Sequence, residues 1–269
     1  MMLNNVALKT LRDKRRALLG WAIALTGFAF LFTLYWPYIR DMPSIVQLLQ
    51  AYPEALIKVF VGGDLSKFNL VPESFLNAEL FFLWVPLVLM LFAVTFGSDA
   101  IAGEEERGTL DLLLTNPVPR SRVVIEKFVA MVTSSLVLAA TLWIALMAGS
   151  MISEMGIDPV RLAEVIFSAV LLGLVFGSLS LALGCVGLKP GMSTGIGAAL
   201  GVASYLVNAL APVFKEIESY QKLSPFFYYI EADPLVNGLN LGDATILVTL
   251  TAIMLAVALV AFQRRDIGV

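Results

Sequence analysis

Residues 165–188 read VIFSAVLLGLVFGSLSLALGCVGL, without one charged side chain. A helix needs about 20 apolar residues to cross the hydrocarbon core of a bilayer. This run meets that length, and five others match it: about Leu18 to Ile39, Leu80 to Ser98, Phe128 to Ile152, Met192 to Phe214 and Ala244 to Phe262. None carries Asp, Glu, Lys or Arg in its interior. In lipid each backbone polar group must be satisfied within its own segment, which leaves helices as the open-ended solution. The expectation is an all-α polytopic membrane protein, with six transmembrane helices in a single domain over residues 1–269.

Composition supports this. Apolar residues make up 59% of the chain and charged residues 14%, with a mean hydropathy of +0.86. A soluble domain is nearer half apolar and a quarter charged, so lipid must solvate much of this surface. A soluble enzyme, a disordered regulator and a disulfide scaffold are excluded. The net charge of −3 gives no basic footprint for nucleic acid. The chain has no histidine, which removes His-based triads, general bases and metal ligands. Cys185 lies in an apolar run and reads as a small buried hydrophobe. No catalytic set and no metal site are expected.

An even number of spans puts both termini on one side. With that side taken as the cytoplasm, 12 of the 18 Lys and Arg lie inside, and the outer loops hold 13 of the 21 acids. Basic residues mark the cytoplasmic face, so both termini are expected inside, in a plasma or inner membrane. Tyr35, Trp36 and Tyr38 then fit an outer interfacial belt and Trp21 an inner one. Lys9, Arg12, Lys14, Arg15 and Arg16 precede the first span, whose length exceeds that of a signal-peptide core, so it reads as a retained anchor. Leu3, Val6, Ala7, Leu11 and Leu18 can share a helical face. Residues 1–17 are therefore expected as an amphipathic helix lying on the inner surface before the chain turns upward. A merely basic topogenic tail is the alternative.

Two outer loops are long. In Arg40 to Glu79, Ile45, Leu48, Leu49, Leu56, Ile57 and Phe60 suggest a short or broken helix interrupted at Pro53 and ended by Gly62-Gly63-Asp64. In residues 215–243, the run Phe226 to Ile230 after Pro225 suggests a re-entrant or interfacial hairpin, with ordinary headgroup anchoring as the other reading. Gly173/Gly177, Gly191/Gly195 and Gly197/Gly201 have the four-residue spacing that lets helix backbones approach closely in lipid.

The loop between spans two and three, residues 104–120, reads EEERGTLDLLLTNPVPR. Glu104, Glu105, Glu106 and Arg107 end the second span, and Gly108 can break that helix. Thr109 can cap a new one by accepting from a free backbone N–H. Leu110, Leu112, Leu113 and Leu114 follow with Asp111, and Pro117 and Pro119 stop the helix. Arg120, Arg122 and Lys127 mark the membrane boundary. Four leucines in five positions must meet lipid, the rest of the bundle, or a partner groove.

This run is similar to the signature of ABC transporter permease subunits of the type-two exporter family, the small six-span kind. Their pattern is matched by Glu104 and Glu106, Arg107-Gly108-Thr109, Leu110-Asp111-Leu112-Leu113, Pro117 and Arg120, with Lys127 following. The wider resemblance covers the whole chain: basic start, six spans, long first outer loop and a re-entrant-like region before the last span. The resemblance implies that the short helix is a cytoplasmic coupling helix docking into a groove on a separate ABC ATPase. The acids and Arg107 would fix orientation, and the leucines would supply apolar contact. It also implies export and a second permease copy or related permease. ATP and Mg²⁺ would sit on the partner, because this chain lacks the G-x-x-x-x-G-K-[ST] loop.

Two rivals are weaker. A secondary transporter usually places ionisable groups in mid-membrane, whereas these spans offer only Asn208, serines and threonines. An intramembrane hydrolase would need a dyad that the spans do not contain. Asn208 itself reads either as a pathway-lining group or as an interhelical hydrogen bond.

Overall fold

A computed structural model describes residues 5–42, 71–111, 118–211 and 213–265. It contains α1 (Val6–Arg40), α2 (Pro72–Glu106), α3 (Arg120–Ile152), α4 (Pro159–Val186) and α5 (Pro190–Leu210), then a short α6 (Pro225–Ile230) and α7 (Leu241–Arg264). Six of these, all but α6, are long and apolar enough to cross a bilayer. No strand occurs among the described residues. The protein is an all-α, multi-pass membrane protein.

The helix ends follow local chemistry. Asn5 caps α1 by accepting from the Leu8 N–H at 2.9 Å. Asp158 caps α4 through the N–H groups of Val160 and Arg161, with Pro159 in the first helical position. Asn240 caps α7. Such caps satisfy donors that have no partner within the helix. Pro72 and Pro190 open α2 and α5, where a missing N–H costs nothing.

α4 is the centre of the bundle. It packs against α2, α3, α5 and α7, and it is almost wholly buried. α1 lies along α3. α1, α5 and α7 keep most of their apolar surface outside the bundle, which suits contact with lipid. α2 and α4 meet where Gly97 faces Gly177: a Cβ on Gly97 would stand 2.1 Å from the Gly177 carbonyl oxygen. Gly173 likewise faces the Leu89 backbone, while Gly197 and Gly201 give room to Ser180 and Met90. Two of the three small-residue pairs therefore lie at helix contacts. Around Gly191 and Gly195 there is open space.

Several expectations are corrected. The basic tail and the first span form one uninterrupted helix, without a turn near residue 17. Nothing in Val6–Arg40 breaks a helix before Pro37, and Val6, Ala7 and Thr10 are buried against the bundle rather than laid on lipid. α2 begins at Pro72, eight residues before the expected span, and runs past Ser98 to end in the acidic run at Glu106, with Gly108 following at φ +67°. The fifth helix stops at Leu210, short of Phe214. Trp36 is buried against Phe75 instead of standing in an outer belt, although Tyr35 and Tyr38 are exposed. Trp21 packs edge-on to Phe92. The broken helix expected around Pro53 lies outside the described residues.

The segment before α7 is a chain of short turns: Lys215–Glu218, Gln221–Leu223, α6 and Pro234–Asn237. Phe226 and Tyr229 of α6 are buried, and the Tyr229 hydroxyl donates to the Phe81 carbonyl at 2.6 Å. This aromatic run packs into the protein beside α4, α5 and α7. Cys185 is buried, as its setting suggested.

Candidate functional site

The start of α1, the end of α2, the start of α3 and the end of α7 converge at one end of the bundle. The convergence is built from charges on the last turns of α2. The chain winds there with i→i+5 hydrogen bonding over Asp99–Gly103, a local widening that often marks functional positions. Asp99 accepts from Lys14 of α1, and its other oxygen accepts from Arg107 at 2.7 Å. Gly103 leaves space for that carboxylate: a Cβ there would stand 1.9 Å from Asp99 Oδ1. The hydrogen bond that Arg107 donates to Asp99 raises the pKa of the guanidinium above its ordinary value.

One helical turn on, Glu104 is 8% exposed and accepts from Lys127 of α3 at 2.7 Å, with Lys127 only 3% exposed. The Thr109 hydroxyl donates to the same Glu104 carboxylate and to the Glu104 carbonyl. The cap expected of Thr109 reaches toward residue 112, outside the described residues, and the hydroxyl donates back toward α2. Gly108, at φ +67°, makes the reversal possible. Glu105 points away from Glu104 and takes both amino groups of Arg265 beyond α7. The α2 end thus reaches three neighbours through separate ion pairs: α1 by Asp99, α3 by Glu104 and the tail of α7 by Glu105.

Other contacts close the junction. Glu126 accepts from the Val6 and Ala7 N–H groups, which holds the start of α1 on α3, and it pairs with Arg122 at 2.7 Å. Arg120 donates to the Arg265 carbonyl and lies over the Phe262 ring. Leu110 is 2% exposed and packs with Val6, Ile101, Val123, Val124 and Phe262. That leucine is spent inside the protein.

The residues singled out in the sequence therefore divide. Glu104, Thr109 and Leu110 face inward. Glu105, Arg107 and Arg120 are used in ion pairs or backbone contacts with the bundle. Glu106, Gly108 and Asp111 are exposed, and Glu106 and Asp111 have no side-chain partner among the described residues. Leu113 and Pro117, with residues 112–117 as a whole, lie outside the described residues. Asn208 is buried, and its Oδ1 accepts from Gln221 at 3.2 Å, a bond to the segment before α6 and not to a neighbouring long helix.

Sequence reasoning missed Lys14, Asp99, Glu126 and Arg265. Asp99 follows immediately on the expected end of span two, and Lys14 was counted with a uniform basic tail. The available signal was positional. Each of these charges lies within a turn or two of a span end on the same side, where opposite charges can meet.

Elsewhere, a groove of about 740 Å³ between α3 and α4 is lined by Leu136, Trp143, Ile144, Val160 and Phe167. The charged residue on its wall, Glu164, is paired with Arg161 at 3.1 Å. Near α6, Asn77 donates to Asp233 at 2.5 Å, and burial pushes the Asp233 carboxyl above the usual carboxylate range.

The junction's parts are charge-assisted hydrogen bonds between four helices, gathered where α2 ends and α3 begins. Such contacts lose strength within about 1 Å of displacement. A force on the connecting segment would be felt by every helix it is tied to. A family model described as ABC-2 family transporter protein matches residues 4–267 of the chain. Comparison with the curated proteins gives no match.

Proposed function

The chain belongs to the ABC-2 family of transporter proteins and is a membrane permease component of an ABC transporter; from that premise we propose that residues 104–120 are where a separate ATPase subunit drives it. The side bearing both termini is the cytoplasm, as the excess of Lys and Arg there supports. The ATPase carries ATP and Mg²⁺, and the leucines after Asp111 enter a groove on it. A second copy of the permease, or a related permease, completes the pathway, and transport runs outward.

The observation that carries this reading is the fan of ion pairs from the end of α2 to α1, α3 and the α7 tail. A coupling segment needs a partner surface on one side and a rigid attachment to several helices on the other. Asp111 and Glu106 are exposed, while Glu104 and Leu110 are fixed inside. In this division Glu104, Arg107 and Thr109 hold the root of the segment, and Glu106, Asp111 and Leu113 meet the ATPase. To swing the bundle from 1:99 to 99:1 between two states, ATP binding must supply about 5.5 kcal/mol of differential affinity.

The test is co-purification of the ATPase with the permease. Leu113→Asp places a charge in an apolar contact and is expected to abolish co-purification while leaving the permease folded and monodisperse. Full retention of the ATPase by this variant would overturn the assignment.

A further inference from the structure

The cations at the start of α1 are sorted by face. Lys14 turns inward and is neutralised by Asp99. Arg12, Arg15 and Arg16 are exposed, and none has an ion partner among the described residues. At about 100° per residue, Leu8, Arg12, Arg15, Arg16, Leu19 and Ile23 fall within an arc of about 100° on one face of the helix. Leu19 is 61% exposed and Ile23 is 72% exposed. One face therefore presents three guanidinium groups directly below an open apolar strip.

Depth matches a lipid. The apolar run from Ala17 to Ile39 would extend about 34 Å as helix, close to the roughly 30 Å core of a bilayer. That leaves Arg12 to Arg16 just outside the core, spread over about 6 Å of helix rise, and each headgroup layer is about 5–8 Å thick. The arginines then lie at phosphate depth while Leu19 and Ile23 meet the acyl chains. Arginine suits this task, because its planar fork can donate two parallel hydrogen bonds to a phosphate.

We infer that this face of α1 binds an anionic phospholipid of the inner leaflet, with the phosphate held among Arg12, Arg15 and Arg16 and an acyl chain against Leu19 and Ile23. The inference rests on the cytoplasmic placement of the termini proposed above, but not on any ATPase contact. The occupied face is opposite Lys14, so bound lipid braces the turn of α1 whose other side reaches Asp99.

The test uses the detergent-purified full chain without ATPase or nucleotide, titrated with phosphatidylglycerol or phosphatidylcholine and read by native mass spectrometry. Wild type is expected to bind phosphatidylglycerol in preference. A basic residue beside an anionic surface is worth roughly fivefold, so R12Q/R15Q/R16Q should lose about tenfold to hundredfold of that preference. R12K/R15K/R16K should keep much of it, and R161Q, at the other end of the bundle, should keep all of it. Equal binding of the two lipids by wild type would overturn the inference, as would an unchanged preference in the triple glutamine variant. Complete competition by soluble glycerol phosphate would overturn the commitment to a lipid. If the triple variant instead kept its lipid preference and lost ATPase co-purification, the face would belong to a protein partner. Loss of lipid preference with ATPase association intact leaves the coupling assignment standing, so the two readings fail separately.

Discussion

The two ends of the bundle are held by different physics. At the end bearing the termini, charges converge: Asp99, Glu104 and Glu105 each reach a different helix or tail. At the other end, the turns around α6 are held by rings and by single hydrogen bonds, with Phe226 against Phe176 and Tyr205, the Tyr229 hydroxyl on the Phe81 carbonyl and Asn77 on Asp233, while Trp36 of α1 packs on Phe75 of α2. Apolar packing is non-directional and tolerates small shifts. A buried ion pair is directional and fails when one partner is withdrawn. The contrast is between directional charge pairs at one end and largely non-directional packing at the other.

The largest expected effect comes from the charged end. Lys127→Met leaves the Glu104 carboxylate buried without its cation and should cost about 3–5 kcal/mol of stability. Glu104→Gln combined with Lys127→Met removes both charges and should recover most of that loss, because the desolvation cost disappears with them. Unfolding titrations in detergent measure both. A Lys127→Met protein as stable as wild type would show that the pair is solvated and that the junction is loose.

Tyr229→Phe ranks second. It leaves the buried Phe81 carbonyl without its donor, at a cost of about 1–3 kcal/mol. The same titrations, applied to the two changes combined, report whether the two ends act independently. If the ends are independent, Lys127→Met and Tyr229→Phe should add within about 0.5 kcal/mol. A larger coupling energy would mean that the ion pair and the aromatic end respond to one another.

The smallest effect concerns pH. Burial holds the folded-state pKa of Asp233 above its unfolded value, against the opposing hydrogen bond from Asn77. Such a group contributes stability that is fully present below the unfolded carboxylate pKa of about 3.9, and loses it as pH rises through the folded value. Asp233→Asn should remove that dependence. Melting temperatures of wild type and variant should therefore diverge in the variant's favour as pH rises through the folded pKa. The substitution also suits the backbone there, since Asp233 sits at φ +46° and asparagine tolerates that region. Parallel pH profiles would show that the carboxyl is solvated.

What the sequence made legible follows from what lipid demands. Six apolar runs became six long helices because length and the absence of charge are one-dimensional properties. Helix starts were also readable in principle, since Pro72, Pro159 and Pro190 each open a helix. Burial within the bundle was not readable. Trp36 looks like an interfacial anchor until Phe75 is found against it. Glu104 and Leu110 look like a surface charge and a docking leucine until Lys127 and Val123 arrive from α3. The Glu104–Arg120 motif marked a charged and leucine-rich stretch, but which of its residues face in and which face out depends on the phase of α2 and on the reversal at Gly108. The missing N-terminal turn has the same origin: a basic amphipathic stretch can lie on lipid or pack on a neighbour, and the Glu126 carboxylate decides for the neighbour.

We propose above that residues 104–120 meet an ATPase on the side bearing both termini. Asp111 is exposed and the one native cysteine is buried, so Asp111→Cys in a Cys185→Ala background offers a single reactive thiol at the segment. Cross-linking from that thiol in native membranes, with the adduct identified by mass spectrometry, tests the claim directly. The expected result is an adduct with an ABC ATPase whose yield changes with nucleotide, and no labelling of the thiol by an impermeant reagent added outside intact cells. Labelling from outside, or cross-linking that yields no ATPase adduct, would contradict it.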